Sequence, residues 1–331
     1  MLLLILLVAG ALVFDFLNGF HDSSNIVATV ISSRAMPPRT ALFLAAIAHF
    51  VAPFIFGVAV AETVGNDVVD PTVITTVVIL AAVLSAIVWN LITWWLGIPS
   101  SSSHALIGGL LGAAILDGGI GVVQWDGLLK ILLALFLSPP LGLVTAYLLM
   151  RFILFLVRNA SPNISTLFKR SQIVTALGLS LSHGTNDAQK TMGIITMGLV
   201  AAGTQSTFEV PLWVIAISAA AIALGTALGG WRLIRTLGGR IFKIRPIHAF
   251  TSQLASTTVI LSAALLGGPV STTQVVSSTI MGTGAAERIS KVRWQVGQEM
   301  FVTWVLTIPI TALIAALIYL PLWRIFVIGV Q

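Results

Sequence analysis

The sequence predicts an all-α integral membrane protein with many membrane segments. Of its 331 residues, 57% are hydrophobic and only 8% are charged, whereas soluble domains carry about 25% charged residues. Apolar stretches of the roughly 20 residues that a helix needs to cross the hydrocarbon core recur along the whole chain. No soluble domain of any size fits between them.

Charge and cysteine content exclude several classes of function. The net charge of +6 comes from lysines and arginines in short connections, so it indicates membrane topology and not nucleic-acid binding. The chain has no cysteine, which excludes a disulfide framework, thiolate catalysis and thiolate metal sites.

Hydropathy predicts about ten apolar helical segments, or 12 helices if the two interrupted segments are counted as halves. They cover residues 2–33, 40–61, 73–97, 104–124, 128–157, 172–203, 210–229, 248–267, 274–286 and 299–320, and polar residues interrupt the first and the sixth. The first segment has no basic residues before it and continues into a polar motif, so we interpret it as a membrane segment and not as a signal peptide.

The positive charges predict which connections face the cytoplasm. Nearly all of them lie at Arg34 and Arg39, in residues 151–170, in residues 232–245, and at Arg288, Lys291 and Arg293. The connections near Glu62, Asp67 and Asp70, near Asp117 and Asp126, and near Glu209 carry almost no positive charge and should face outward. This assignment puts both termini outside.

The same assignment divides the chain into two inverted-topology repeats. Residues 1–158 form the first repeat, 159–170 a cytoplasmic connection and 171–331 the second repeat. Each repeat contains a helical hairpin, in 73–124 and in 248–286, which is either re-entrant or two full crossings. Inverted repeats are typical of secondary transporters, whose substrate site lies near the bilayer midplane at the repeat interface.

A first polar motif occurs once in each half. Residues 19–25 read GFHDSSN and residues 184–190 read GTNDAQK, which share the frame G-x-[H/N]-D-x-x-[N/K]. The glycine would permit an unwound backbone, which membrane depth tolerates only beside protein or a water-filled cavity. Ionisable residues there indicate function.

Helical spacing groups the polar residues of this motif. Asp187 and Lys190 are three residues apart and should share a helix face, where they could form an ion pair, and Asp22 and Asn25 have the same spacing. The candidate residues for the coupling cation are His21, Asp22, Asn25, Asn186, Asp187 and Lys190.

A second motif also occurs twice, at the bend of each hairpin. Residues 99–105 read PSSSSHA and residues 269–275 read PVSTTQV. Hydroxyl groups and free N–H groups at a helix N-terminus form an anion site. The candidate anion-binding residues are Ser101, Ser102, Ser103, Ser271, Thr272 and Thr273. No arginine lies at either bend, so we expect neutral donors to bind the anion.

These two repeated motifs resemble those of the inorganic phosphate transporter (PiT) family, over nearly the whole chain. The resemblance implies a cofactor-free symporter that imports inorganic phosphate with H⁺ or Na⁺ by alternating access, as a homodimer in the bilayer of the cell (plasma or inner) membrane. It implies that Asp22, Asn25, Asn186 and Asp187 handle the cation. It also implies that Ser101, Ser102, Ser103, Thr272 and Thr273 hold the anion.

Two departures from the family pattern favour H⁺ over Na⁺. Sodium-coupled members usually have asparagine where this chain has His21 and Lys190. An ammonium group has only donors and cannot bind Na⁺, although it could replace one cation. Histidine titrates near neutral pH. A metal-phosphate complex as the transported species, and Na⁺ at Asp22, Asn25 and Asp187, stay open.

Other functions compete with phosphate symport. Neutral hydroxyl donors suit sulfate or any other tetrahedral oxyanion. An intramembrane hydrolase is a less favoured alternative, with Asp22 and Asp187 as a dyad or Ser103 with His104, although adjacent residues of a helix point apart. A passive channel is also less favoured, and we expect no enzyme activity.

Several other polar residues have simpler interpretations. His49 and His248 are interpreted as structural. Gln274 aligns with His104, which indicates hydrogen bonding and not titration. Asp15 and Glu299 are expected to cap or to pair.

Overall fold

A computed structural model describes residues 1–66, 68–69, 74–161 and 163–328. This part of the chain forms twelve α-helices. They are α1 (Leu2–Ser32), α2 (Pro38–Phe56), α3 (Ala59–Asn66), α4 (Thr76–Leu96), α5 (Ser102–Gly118), α6 (Trp125–Leu156), α7 (Ile164–Ala201), α8 (Leu212–Leu228), α9 (Trp231–Arg235), α10 (Pro246–Leu265), α11 (Thr272–Glu287) and α12 (Trp294–Trp323). Asp67 and Asp70, predicted in an outward connection, fall outside the described residues.

The helices agree with an all-α, multi-pass membrane protein. Each of the ten predicted apolar segments coincides with a helix or a pair of helices. Within the described residues, α1, α2, α4, α6 and α12 are long and apolar enough to span a membrane, and α8 with α9 makes a sixth if that bent pair is one span. The hairpin arms α5 and α11 have 17 and 16 residues, which is short of the roughly 20 needed to cross. Ten crossings therefore stay a prediction.

The two motif-bearing helices are continuous, so the prediction that glycine unwinds them is wrong. α1 and α7 run through their polar motifs as unbroken helices. The glycines serve close packing instead: a Cβ on Gly19 would lie 2.1 Å from the carbonyl oxygen of Ile222 in α8, and one on Gly184 would lie 2.8 Å from the Cα of His49 in α2. Small residues let helix backbones approach in this way.

Helix breaks occur instead in the neighbouring segments. α2 ends at Gly57 (φ 80°) before α3, and α8 ends at Gly229 (φ 74°) before α9, with a bend of 58°. Both glycines have a positive φ, which residues with a Cβ rarely adopt. The apolar segment 40–61, predicted as one helix, is therefore two.

The helix contacts place the motifs at the centre of the molecule. α4 packs on α5 and α10 packs on α11 as two hairpins, with bends at 97–101 and 266–271. α1 contacts α4 and α8, while α7 contacts α10 and α2; α5 packs on α12, and α11 packs on α6. α1 and α7 also contact each other. Large apolar side chains such as Phe152 and Leu313 are exposed on α6 and α12, as expected of a surface that faces lipid.

Candidate functional site

The four polar motifs converge in the interior of the protein. α1 and α7 supply the two aspartates, and the N-terminal ends of α5 and α11 supply the hydroxyl groups. Asp22 and Asp187 are 0% exposed and Lys190 is 2% exposed. Buried ionisable groups are stable only when they are paired or hydrogen-bonded, so their partners define the site.

Thr272 lies between the two aspartates. Its hydroxyl oxygen is 2.9 Å from an oxygen of Asp187 and 3.5 Å from an oxygen of Asp22. A hydroxyl group donates one hydrogen bond at a time, so Thr272 can serve either carboxylate. The first residue of α11 thereby links the motif of α1 to the motif of α7.

Asp22 is the acceptor of a second chain of contacts. Thr273 donates to Asp22 over 2.9 Å, and the amide of Asn25 donates to the Thr273 hydroxyl over 3.0 Å. His21 Nδ1 lies 3.1 Å from the same Asp22 oxygen. The structure therefore brings His21, Asp22 and Asn25 of one motif together with a hydroxyl group of another.

Lys190 uses all three of its donors inside the protein. Its ammonium group pairs with Asp187, donates to the Ser103 hydroxyl over 2.7 Å and donates to the Val270 carbonyl over 3.0 Å. The ion pair inferred from the spacing of Asp187 and Lys190 is present. A positive charge therefore reaches Ser103, one of the candidate anion-binding residues, from a helix that is distant in sequence.

The two hairpins use equivalent serines as N-caps. The Ser101 hydroxyl accepts from the His104 N–H over 3.1 Å, and the Ser271 hydroxyl accepts from the Gln274 N–H over 3.4 Å. Ser102, the first residue of α5, is also buried. First-turn N–H groups have no partner within their helix, and the helix dipole favours negative charge there. Both helix ends are therefore suited to bind an anion.

His104 forms a hydrogen bond with the residue that aligns with it in the other half. Gln274 Nε2 lies 3.3 Å from His104 Nδ1, which is also 2.7 Å from the Ser101 hydroxyl. The interpretation of His104 as a hydrogen-bonding residue is consistent with this geometry. Its neighbour Ser103 contacts Lys190 instead, so Ser103 and His104 do not face each other.

Asn186 lies apart from the carboxylates. Its amide donates to the Gly268 carbonyl over 3.2 Å, in the bend of the α10–α11 hairpin. It thus holds the hairpin against α7, and the structure shows no contact between its side chain and Asp187.

His183 is the main site residue that the sequence did not single out. Its Nδ1 lies 3.1 Å from an oxygen of Asp187, and its Nε2 lies 4.0 Å from an oxygen of Asp22. Ligand atoms of these three residues all lie within 4.8 Å of one another, so they could hold a cation. The available signal was spacing, because His183 precedes Asp187 by four residues and shares its helix face. His49 stacks on the His183 ring at 5.1 Å.

Gln189 is a second residue that the sequence did not reveal. Its side-chain oxygen accepts from the N–H groups of Val60 and Ala61, and its amide nitrogen donates to the Gly57 carbonyl. One side chain therefore bonds to both sides of the break between α2 and α3. At the other break, the Ser23 hydroxyl accepts from the Gly230 N–H over 2.8 Å.

Comparisons with known proteins show which family this chain resembles. A family model described as the phosphate transporter family matches residues 18–165 and 157–315. The chain is 47% identical over 319 residues to a "Probable low-affinity inorganic phosphate transporter" of Rhizobium meliloti (strain 1021), covering 96% of each chain. It is 46% identical over 330 residues to a Bacillus subtilis (strain 168) protein with the same description, covering 98% of this chain and 99% of that one.

The fold also has a solved relative. A structure described as "The sodium-dependent phosphate transporter" superposes with a TM-score of 0.89 at 25% identity, covering 98% of this chain and 100% of that chain.

Proposed function

We propose that this chain, which belongs to the phosphate transporter family, is a secondary transporter that imports inorganic phosphate with a coupling cation by alternating access. The resemblance to the inorganic phosphate transporter family is confirmed. Transport, and not catalysis, is the activity by which the relatives are described.

The proposal depends mainly on the contacts of Lys190. Lys190 bonds both to Asp187, a candidate residue for the cation, and to Ser103, a candidate residue for the anion. Cation and anion binding therefore share one site. An ammonium and an anion 4 Å apart attract by about 4 kcal/mol at an effective dielectric constant of 20. Phosphate bound at the N-termini of α5 and α11 would gain this attraction in addition to hydrogen bonds from Ser101–Ser103 and Ser271–Thr273.

The surroundings of Lys190 favour H⁺ as the coupling ion. A carboxylate, a hydroxyl oxygen and a carbonyl oxygen surround its ammonium group, and oxygen atoms of these kinds are the ligands that hard cations prefer. A fixed ammonium thus takes the place that a free cation would fill beside Asp187. Na⁺ is the alternative, with Asp22, Asn25 and Asp187 as ligands, and the solved relative is itself described as sodium-dependent.

A metal-phosphate complex is a second candidate for the transported species. The cluster of Asp22, His183 and Asp187 combines two carboxylates with an imidazole, a donor set that suits a divalent transition metal. A metal ion there would lie beside the hydroxyl groups of α11, because Thr272 contacts both carboxylates.

The packing supports two inverted repeats as the basis of alternating access. The contacts of α1 with α4 and α8 match those of α7 with α10 and α2, and those of α5 with α12 match those of α11 with α6. The short arms α5 and α11 favour re-entrant hairpins. We assign the repeats to 1–158 and 171–331, joined by 159–170, with both termini outside the cell membrane and two copies forming a homodimer.

The proposal is tested with purified protein in proteoliposomes. Labelled phosphate should accumulate above its external concentration, and Asp187→Asn should abolish this accumulation while Asp126→Asn, an exposed acid on α6, should not. Equilibration without accumulation would indicate a channel. Sulfate, arsenate and molybdate are added as competitors, and uptake of sulfate in preference to phosphate would overturn the substrate assignment.

A further inference from the structure

Asp15 is a buried acid that the site described above does not use. It lies in α1, two helical turns before Asp22, and is 0% exposed. By distance and angle, neither of its carboxyl oxygens makes a good hydrogen bond with the described residues, and the side chain of Thr191 is a neutral donor near it. A buried carboxylate without a charged partner is costly, and the usual outcome is that it takes up a proton. Among the described residues, only the neutral hydroxyl of Thr191 meets the expectation that Asp15 caps or pairs.

Asp15 lies on the helix face that leads to the site. Asn18 and Asp22 follow it by three and seven residues and share that face. α1 contacts α7, and Asp15 lies beside Thr191, the residue after Lys190. The amide of Asn18 has no hydrogen-bond partner among the described residues, and Asn18 and Thr191 are both buried. Buried polar side chains of α1 therefore continue from Asp22 through Asn18 to Asp15, which Thr191 of α7 approaches.

The charged groups around Asp15 are those of the site itself. Asp187 and Lys190 of α7 act on it electrostatically with opposite signs. Other titratable groups of the site are His21 and Asp22 on α1 itself and His183 on α7, which stacks on His49 of α2. α4 and α8 also pack on α1 but contain no charged or titratable residue. The charge states of Asp187 and Lys190 therefore bear on the proton affinity of Asp15.

Asp15, like Lys190, has an uncharged residue at the aligned position in the other half. Ser180 occupies the aligned position in the second motif and donates to the Ala176 carbonyl over 2.7 Å. At one aligned position the second half has Lys190 and the first half has Asn25. At the other, the first half has Asp15 and the second half has Ser180. The two charged groups are on helices that contact each other, and Lys190 acts electrostatically on Asp15.

Building on the proposed function, we propose that Asp15 is a proton-binding site of the transport cycle. Lys190 can fill the place of a cation, but it is attached to the chain and cannot cross the membrane, so coupling to a gradient needs a group whose occupancy changes. Asp15 takes a proton from water on the outer side and returns it to water on the inner side. No other bond is made or broken.

Two transport assays on the same proteoliposomes test this role. In Asp15→Asn, which has nearly the same shape, net phosphate uptake should lose its response to an inward proton gradient. Exchange of external labelled phosphate for internal phosphate needs no net proton transfer and should persist. Asp15→Glu should keep the response, as should Ser180→Ala at the aligned position and Asp126→Asn at an exposed acid.

Two results of these assays would overturn the proposed role of Asp15. An Asp15→Asn protein that still responds to the proton gradient like the unmodified protein overturns the proposal, and so does one that loses exchange together with the gradient response, since that marks a structural role. Infrared difference spectroscopy gives a readout independent of transport: a carboxyl C=O band that changes with pH should be present in the unmodified protein and absent in Asp15→Asn. If no such band exists, Asp15 is not a proton-binding site. If the unmodified protein shows the band but does not transport phosphate, only the proposed transport function is overturned.

Discussion

The ammonium nitrogen of Lys190 lies 2.7 Å from the hydroxyl oxygen of Ser103, and this contact joins a motif of α7 to a motif at the start of α5. The same ammonium group pairs with Asp187. A change in the charge of Asp187 or in the occupancy of the α5 N-terminus must therefore act on Lys190. This coupling is what a symporter requires of its two substrates.

Removing Lys190 alone should destabilise the protein strongly. Lys190→Met leaves Asp187 as a buried charge without its cation, and breaking a buried pair in this way costs about 3–5 kcal/mol. The double variant Asp187→Asn/Lys190→Met leaves no unpaired charge and should recover most of the free energy of unfolding, measured by denaturant titration in detergent. Lys130→Met, at an exposed site, is the control. Equal losses in the single and double variants would contradict the ion-pair account.

Close packing between α1 and α8 should make Gly225 sensitive to the smallest substitution. A Cβ at Gly225 would lie 1.9 Å from the carbonyl oxygen of Phe16, and a backbone carbonyl cannot rotate away. Gly225→Ala should therefore lower thermal stability, by an overpacking cost of about 1–3 kcal/mol or more. Gly239→Ala, whose Cβ would meet no atom within 4 Å, should be nearly neutral. If both variants unfold at the same temperature as the unmodified protein, the helices are not packed as described.

The Thr272 hydroxyl, which contacts both Asp22 and Asp187, should be needed for phosphate uptake. Thr272→Val removes the hydroxyl that contacts both carboxylates, and hydrogen bonds to charged groups contribute about 1.5–3 kcal/mol each. Initial phosphate uptake should thus fall by about tenfold or more, while Thr272→Ser should retain most activity. Thr258→Val, which removes an exposed hydroxyl bonded only to its own helix, serves as the control. Normal uptake by Thr272→Val would show that the bridge plays no part in transport.

Gln189 should hold α3 in place across the break at Gly57. Ala61 of α3 is 0% exposed, and the chain has no cysteine, so Ala61→Cys provides a single labelling site. Gln189→Leu removes three hydrogen bonds that span the break and should raise the rate of maleimide labelling by about fivefold or more, since one net hydrogen bond is worth about 1 kcal/mol.

The control for this measurement is Ala113→Cys, a buried position in α5, whose labelling should not respond to Gln189→Leu. Equal labelling of Ala61→Cys with either residue at position 189 would mean that α3 is held by its apolar contacts alone.

The fold and the existence of the site followed from local patterns. Helical periodicity and length mark apolar segments independently of their neighbours, so the segments that became α4 and α6 could be placed directly. The pairing of Asp187 with Lys190 depends only on helical spacing. These predictions needed no knowledge of tertiary structure.

Features that depend on contacts between helices could not be predicted in the same way. Gly19 and Gly184 indicated unwinding when read alone, but their role depends on the backbones of α8 and α2 lying against them. The contact of Lys190 with Ser103 joins residues 87 positions apart, and that of Gln189 with Gly57 joins residues 132 apart. Only the packed structure brings such pairs together.

The most direct test of the central claim, that Lys190 takes the place of a coupling cation and leaves H⁺ as the driving ion, is labelled phosphate uptake driven separately by an inward proton gradient and by an inward sodium gradient. The unmodified protein should respond to the proton gradient alone. Lys190→Asn, which gives α7 the amide that α1 has at Asn25, should gain a response to sodium. Uptake by the unmodified protein that requires sodium and ignores pH would contradict the account.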